Sequence, residues 1–297
     1  MFTKNYRYQS HLVLHLIILF WAYTGMIGHI LPWPAEVIVW YRMIIASFIL
    51  GLILIKGNHF KKIQLLSPRQ KQLSILGGLI LSMHWWCFFA SIKLSTVSIG
   101  LICLSATPFL TTIIQATLNR TRPPTHELFF SLLTISGLMI IFNMDLQYTT
   151  GILVGLLSSV LDAVFNIING KLSNAKNPVL ISWMEITSGF VLVSLIIFLQ
   201  GTSPFHYIPA SAEEMISVLF LGVICTALAI VGCLWVMKEL SPYTVALTVN
   251  LEPVYGIILA VLIRGQDEIM PSGFYFGALL IMGSVAANTF VQQRRAV

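Results

Sequence analysis

The chain has 297 residues, of which 57% are hydrophobic and only 9% charged, with a net charge of +6 and a mean hydropathy of +0.87. Soluble domains carry about 25% charged residues, and a water-soluble fold of this length could not hide so much apolar surface, so the bilayer is the solvent this composition demands. The positive balance does not argue for nucleic acid, because the Lys and Arg sit in short connections between apolar runs, where membrane topology accounts for them.

A helix needs about 20 apolar residues to cross the hydrocarbon core. Lys4 and Arg7 precede a first run at about 11–30. It is longer than the core of a cleavable leader and has no convincing cleavage site, so it reads as a transmembrane helix. It carries His15, Trp21 and His29. The second span, about 36–55, contains Trp40-Tyr41-Arg42. After the basic connection 56–72, the third (73–92) holds His84-Trp85-Trp86-Cys87-Phe88-Phe89 at mid-depth, away from the interfaces where aromatic belts lie. The fourth (97–117) is interrupted at Ser105-Ala106-Thr107-Pro108-Phe109, and the fifth is about 126–143.

The sixth span (149–170) bears a polar stripe, Asp162, Asn166 and Asn169, with Ser158 and Ser159 one turn earlier. This spacing puts them on one helical face. The seventh (177–199) holds Glu185 and the eighth is about 215–235. The ninth (243–263) is interrupted at Asn250-Leu251-Glu252-Pro253-Val254, and the tenth is about 271–291. The four cysteines, Cys87, Cys103, Cys225 and Cys233, all fall inside apolar runs and read as small packing residues.

The basic residues orient this all-α, ten-span layout. With the N-terminus cytoplasmic, every Lys and Arg falls on the inner side except Lys93 and Arg264 outside and Arg42 within a span. Such a bias is the positive-inside pattern, and it puts both termini in the cytoplasm.

The two halves, 11–143 and 149–291, overlay. At an offset of 145, Pro108 meets Pro253 and Lys93 meets Lys238; at 143, Trp40-Tyr41-Arg42 meets Trp183-Met184-Glu185; at 146, Gly137 meets Gly283. Five spans per half is an odd number, so the second half enters from the opposite side and the repeat is inverted. Paired interrupted helices in such halves point to a transport site, with Pro108 and Pro253 as hinges on two helices facing each other across one cavity.

Charges at mid-bilayer are costly and normally face a cavity or a partner. Arg42 stays charged, and is read either as a bidentate anchor for a substrate carboxylate or as half of an internal ion pair with Glu185. The Asp162 face suits a substrate amine or a proton path, with helix–helix hydrogen bonding as the alternative. Glu252 sits where Pro253 frees a carbonyl, which makes it the leading proton-coupling candidate, ahead of Glu185 and Asp162, with a permanently neutral or paired carboxyl as the alternative. His84 reads as a structural histidine or, with Trp85, Trp21 and Tyr41, as part of an aromatic wall. Ser105, Asn166 and Asn250 complete the candidate substrate-binding set. No Gly-x-x-x-x-Gly-Lys-Ser/Thr loop, His-Glu-x-x-His or Gly-x-Ser-x-Gly occurs, so the chain offers no ATP-driven, metallopeptidase or hydrolase signature, and no cofactor or metal is expected.

The chain resembles the EamA family of the drug/metabolite transporter superfamily. The residues that carry the likeness are Arg42-Met43-Ile44-Ile45-Ala46, Ala90-Ser91-Ile92-Lys93-Leu94-Ser95, Leu251-Glu252-Pro253-Val254-Tyr255 and Gly277-Ala278-Leu279-Leu280-Ile281-Met282-Gly283. One departure stands out. The glycine-glutamate pair the family often places after its proline-containing helix is Asn119-Arg120-Thr121 in the first half and Gly265-Gln266-Asp267-Glu268 in the second. The resemblance implies a ten-helix bundle with a central cavity lined by spans 1–4 and 6–9, with spans 5 and 10 bracing it or pairing two copies. It further implies secondary transport of a small-molecule substrate, an amino acid or related amphiphilic compound, by export or exchange across the cytoplasmic membrane. An integral membrane lipid-modifying enzyme is the competing reading. Such an enzyme would gather its catalytic groups near one interface, whereas here the polar groups lie at mid-depth.

Overall fold

A computed structural model describes residues 2–24, 27, 30–142, 148–175, 177–256 and 272–295. His29, Lys176, Arg264 and the 265–268 segment lie outside the described residues. All the regular structure among the described residues is helical: α1 (Phe2–Trp21), α2 (Ala35–Lys56), α3 (Pro68–Leu94), α4 (Val97–Leu104), α5 (Thr107–Asn119), α6 (Thr125–Phe142), α7 (Thr149–Leu172), α8 (Pro178–Leu199), α9 (Ala212–Gly222), a π-helical turn (Val223–Leu228), α10 (Ala229–Val236), α11 (Pro242–Val249) and α12 (Ser272–Arg295). Short 3₁₀ turns at Phe60–Leu65 and Pro204–His206 fill the two longest connections.

Local chemistry sets the boundaries. Ser67 and Gln70 form a reciprocal capping box at the start of α3, and Thr96, Asn177, Ser211 and Ser241 each accept a backbone N–H three residues on. Pro68, Pro178 and Pro242 follow their caps directly, in the first turn, where the missing N–H costs nothing.

Among the described residues, six runs are long and apolar enough to cross a membrane: Ala35–Lys56, Pro68–Leu94, Val97–Asn119, Thr149–Leu172, Pro178–Leu199 and Ala212–Val236. Thr125–Ile141 and Tyr275–Val291 are shorter apolar helices. The interruption expected in the fourth span is present, and the eighth, read as continuous from the sequence, is also irregular. The fourth breaks between α4 and α5, and the eighth passes through the π turn. Large apolar side chains such as Leu153, Phe198, Leu279 and Phe290 remain exposed on the outer surface, as a lipid-facing bundle requires.

The halves interlock rather than sit side by side. Helix α3 of the first half packs along α7 and α8 of the second, and α8 also packs along α2. Glycines permit this. A Cβ at Gly155 would lie 2.8 Å from the Cβ of Cys103, and one at Gly189 would lie 2.6 Å from the Gly78 carbonyl. Helices α6 and α12 pack on each other within one chain. Their backbones touch at Gly137 and Gly277, and the hydroxyls of Thr134 and Ser284 are 2.8 Å apart. This contact braces the two spans against each other within one chain.

The prolines act differently from the mid-helix kinks expected. Helix α4 stops at Leu104, Ser105-Ala106 form a turn, and α5 begins at Thr107-Pro108. In the same register, α11 stops at Val249, Asn250-Leu251 form a turn, and a new helical segment begins at Glu252-Pro253. Each proline thus opens a helix, the position it tolerates best. The two turns also meet: the Asn250 side-chain amide donates to the Ser105 carbonyl at 3.3 Å.

Candidate substrate cavity

Arg42, on α2, is the largest fully buried side chain of the described residues, at 1% exposure. Its guanidinium stacks 3.5 Å from the centre of the Trp85 ring on α3. Its Nε donates to the Thr226 hydroxyl at 3.0 Å, and Nη2 reaches the Cys225 carbonyl at 3.5 Å. Thr226 passes its own proton on to the Leu221 carbonyl at 2.7 Å. Nη1 has no hydrogen-bond partner among the described residues.

These partners exist because of the π turn. An i→i+5 turn widens the helix and re-aims its carbonyls, and the Cys225 carbonyl takes the Trp21 indole N–H at 2.8 Å as well as the Arg42 contact. The hydrogen-bonding role of Thr226 and Cys225 was missed at the sequence level. Val223-Ile224-Cys225-Thr226-Ala227-Leu228 is ordinary helix-forming sequence, and the one signal is a threonine in an otherwise apolar run.

Arg42 forms one wall of a cavity of about 70 Å³. Trp21, Trp85 and Phe88 make its aromatic side, and His84, Asp162, Asn166 and Glu252 its polar side. The Glu252 carboxyl lies within electrostatic reach of both Arg42 and Asp162, and Asp162 within reach of His84. One fixed cation, two carboxyl groups and an imidazole therefore border the same small space. His84 is held there by Ser158, whose hydroxyl lies 2.9 Å from Nδ1 and donates to the His84 carbonyl at 3.0 Å. It is both structurally satisfied and cavity-lining. Thr24, Cys233 and Met237 also line the cavity and were not anticipated.

Of the expected site residues, Trp21, Arg42, His84, Trp85, Asp162, Asn166 and Glu252 converge on this space. Tyr41, Ser105, Glu185 and Asn250 do not line it. Tyr41 packs against Trp33 and Trp40 and donates to the Pro204 carbonyl at 3.4 Å. Ser105 donates to Ile102 O at 2.6 Å, within the first break, and Asn250 bonds to that same turn. Glu185 lies outside the cavity, against Gly77 and Gly78 of α3, and the ion pair with Arg42 is absent among the described residues: both Glu185 carboxyl oxygens are buried without a hydrogen-bond partner there.

The α7 stripe also divides. Ser158 and Ser159 bind α7 to α3 and α4, the latter through the Cys103 carbonyl at 2.7 Å. Asp162 and Asn166 face the cavity, and Asn169 is fully buried with its amide unpartnered. The four cysteines are free thiols and buried, as expected of packing residues, although Cys233 also borders the cavity.

Comparison with known proteins agrees with this architecture. The model of the EamA-like transporter family matches twice, over residues 10–143 and 149–290. A solved structure described as a crystal structure of a protein superposes with a TM-score of 0.76 at 16% identity, covering 97% of this chain and 99% of that one; it shares the fold. No curated protein matches the sequence.

Proposed function

The chain belongs to the EamA-like transporter family, and on that premise we propose that it is a secondary transporter for small zwitterionic amphiphiles, of which amino acids with apolar side chains are the simplest class. The carrying observation is the buried, unpartnered Arg42 Nη1 at a cavity that also holds Asp162 and Glu252. The free Nη1 would donate to a substrate carboxylate, the two carboxyls suit an ammonium, and Trp21, Trp85 and Phe88 receive the apolar part.

The two family-model copies are read as inverted repeats of five spans, with both termini cytoplasmic. Alternating access then proceeds by rocking about the paired breaks at Ser105 and Asn250. Transport is by export or exchange across the cytoplasmic membrane, and Glu252, between Arg42 and Asp162, is the group that exchanges a proton with the substrate ammonium.

Counterflow in proteoliposomes tests this, with amino acids, nucleosides and quaternary amines, each with and without a pH gradient. Amino acids with apolar side chains should exchange. Glu252→Gln should keep exchange but lose the response to the gradient. Failure of every compound, together with a detected covalent product, would replace the transporter with the enzyme reading.

A further inference from the structure

Glu185 is fully buried on α8, outside the cavity, and it sits where the two halves touch most closely. A Cβ built on Gly77 of α3 would lie 3.0 Å from Glu185 Oε1 and 3.4 Å from Ile168 of α7. The next glycine, Gly78, abuts the Glu185 backbone carbonyl itself. The carboxyl thus occupies a slot made by a Gly-Gly step, at a seam between α3 of the first half and α7 and α8 of the second.

Nothing in that slot answers its polarity. Both oxygens lack a hydrogen-bond partner among the described residues. On α3 the groups that meet Glu185 are Gly77 and Gly78. On α7 the facing group is Ile168. From α2, Ser47 meets Thr187 at 2.8 Å and the Met43 methyl meets Gly189 one turn further along α8. None of these groups titrates or carries a charge. Two more unpartnered, fully buried groups lie close by in sequence: Ser182, one turn earlier on α8, and Asn169, next to Ile168 on α7.

A carboxylate without a hydrogen-bond partner is not tolerated in such a place, whereas a neutral acid is. We propose that Glu185 is a proton latch on the α3–α8 seam, separate from the substrate cavity. The protonated acid keeps the seam closed as the structure shows it. Loss of that proton to water leaves a carboxylate that is stable only if α3 and α8 part and water enters. In the orientation proposed above, the ends of α3 and α8 nearest the basic 56–71 connection lie inside, so the latch governs the cytoplasmic opening. Its use in a transport cycle rests on the transporter reading; its existence does not.

The test is pulsed electron paramagnetic resonance on the full chain with spin labels at Gln72→Cys and Asn174→Cys, both exposed near those ends. The four native cysteines are buried and stay unlabelled. The short distance should dominate at acid pH. A longer one should grow by about tenfold in the open-to-closed ratio per pH unit below the midpoint, the slope for one proton released on opening. Glu185→Gln should abolish that growth, and Glu185→Asp, which keeps a carboxyl, should retain the slope with a shifted midpoint. An unchanged slope in Glu185→Gln, a flat wild type or a flat Asp variant each overturns the latch. If counterflow fails for every compound while the slope is present, the transporter reading falls and the latch stands.

Discussion

Replacing Arg42 by Lys keeps the charge but removes the fork, and so isolates what the geometry of the site contributes. In the structure Nε and Nη2 are engaged by Thr226 and Cys225, which leaves Nη1 as the donor for a ligand. A lysine ammonium in the same place is drawn to the Thr226 hydroxyl and the Cys225 carbonyl, and has no second arm directed at the cavity. A hydrogen bond to a charged group contributes about 1.5–3 kcal/mol, so Arg42→Lys should weaken binding of a carboxylate ligand by roughly tenfold to 150-fold. The comparison that decides the matter is phenylalanine against phenethylamine, which lacks only the carboxylate. Scintillation proximity or calorimetric titration of purified protein gives both affinities. Phenylalanine binding should fall by the stated factor while phenethylamine binding changes little. If both fall equally, Arg42 supports the cavity wall and does not hold the carboxylate; if neither falls, the zwitterion reading is wrong.

Two further changes probe the scaffold. Gly277→Leu drives a side chain into the Gly137 carbonyl and Ile141; overpacking of this kind costs about 1–3 kcal/mol, and the melting temperature in detergent should drop by several degrees. Asn250→Ala removes the 3.3 Å hydrogen bond that joins the two breaks. It should cost about 1 kcal/mol in stability and change the rate of counterflow more than substrate affinity, which a paired binding and flux measurement would separate.

The bundle was legible because charged and polar side chains inside apolar runs are rare and carry few explanations. Arg42, Asp162 and Glu252 stand out from the sequence for that reason, and all three border the cavity. The limits were geometric. An overlay of repeats pairs Arg42 with Glu185, but equivalent positions in two copies are related by the repeat and need not touch; here one faces the cavity and the other the Gly77-Gly78 slot. The single polar stripe read on α7 likewise had to divide. Residues three and four apart share a face only approximately, and α7 meets α3, α4, α5 and α11 along its length. The π turn left no mark at all, since its residues favour an α-helix as much as a π-helix and only packing against Trp21 and Arg42 selects the wider turn.

The breaks show how the pieces fit one mechanism. A proline inside a helix bends it at a fixed place, whereas a proline that opens a helix after a two-residue turn leaves two rigid rods joined by a short connector. Both copies have this second arrangement, and the connectors touch through Asn250 and Ser105. If the repeats are inverted as proposed, a contact between equivalent turns lies near their pseudo-two-fold axis, at the interface between the halves. Leu104, Val249 and Glu252 flank the two turns and also line the cavity, so the contact between the breaks and the candidate binding site are contiguous, while the Glu185 slot lies outside that cavity. The proposed latch at the Glu185 seam and the binding site within the cavity share no residue, yet both are built on α3, so a movement of that one helix reaches both.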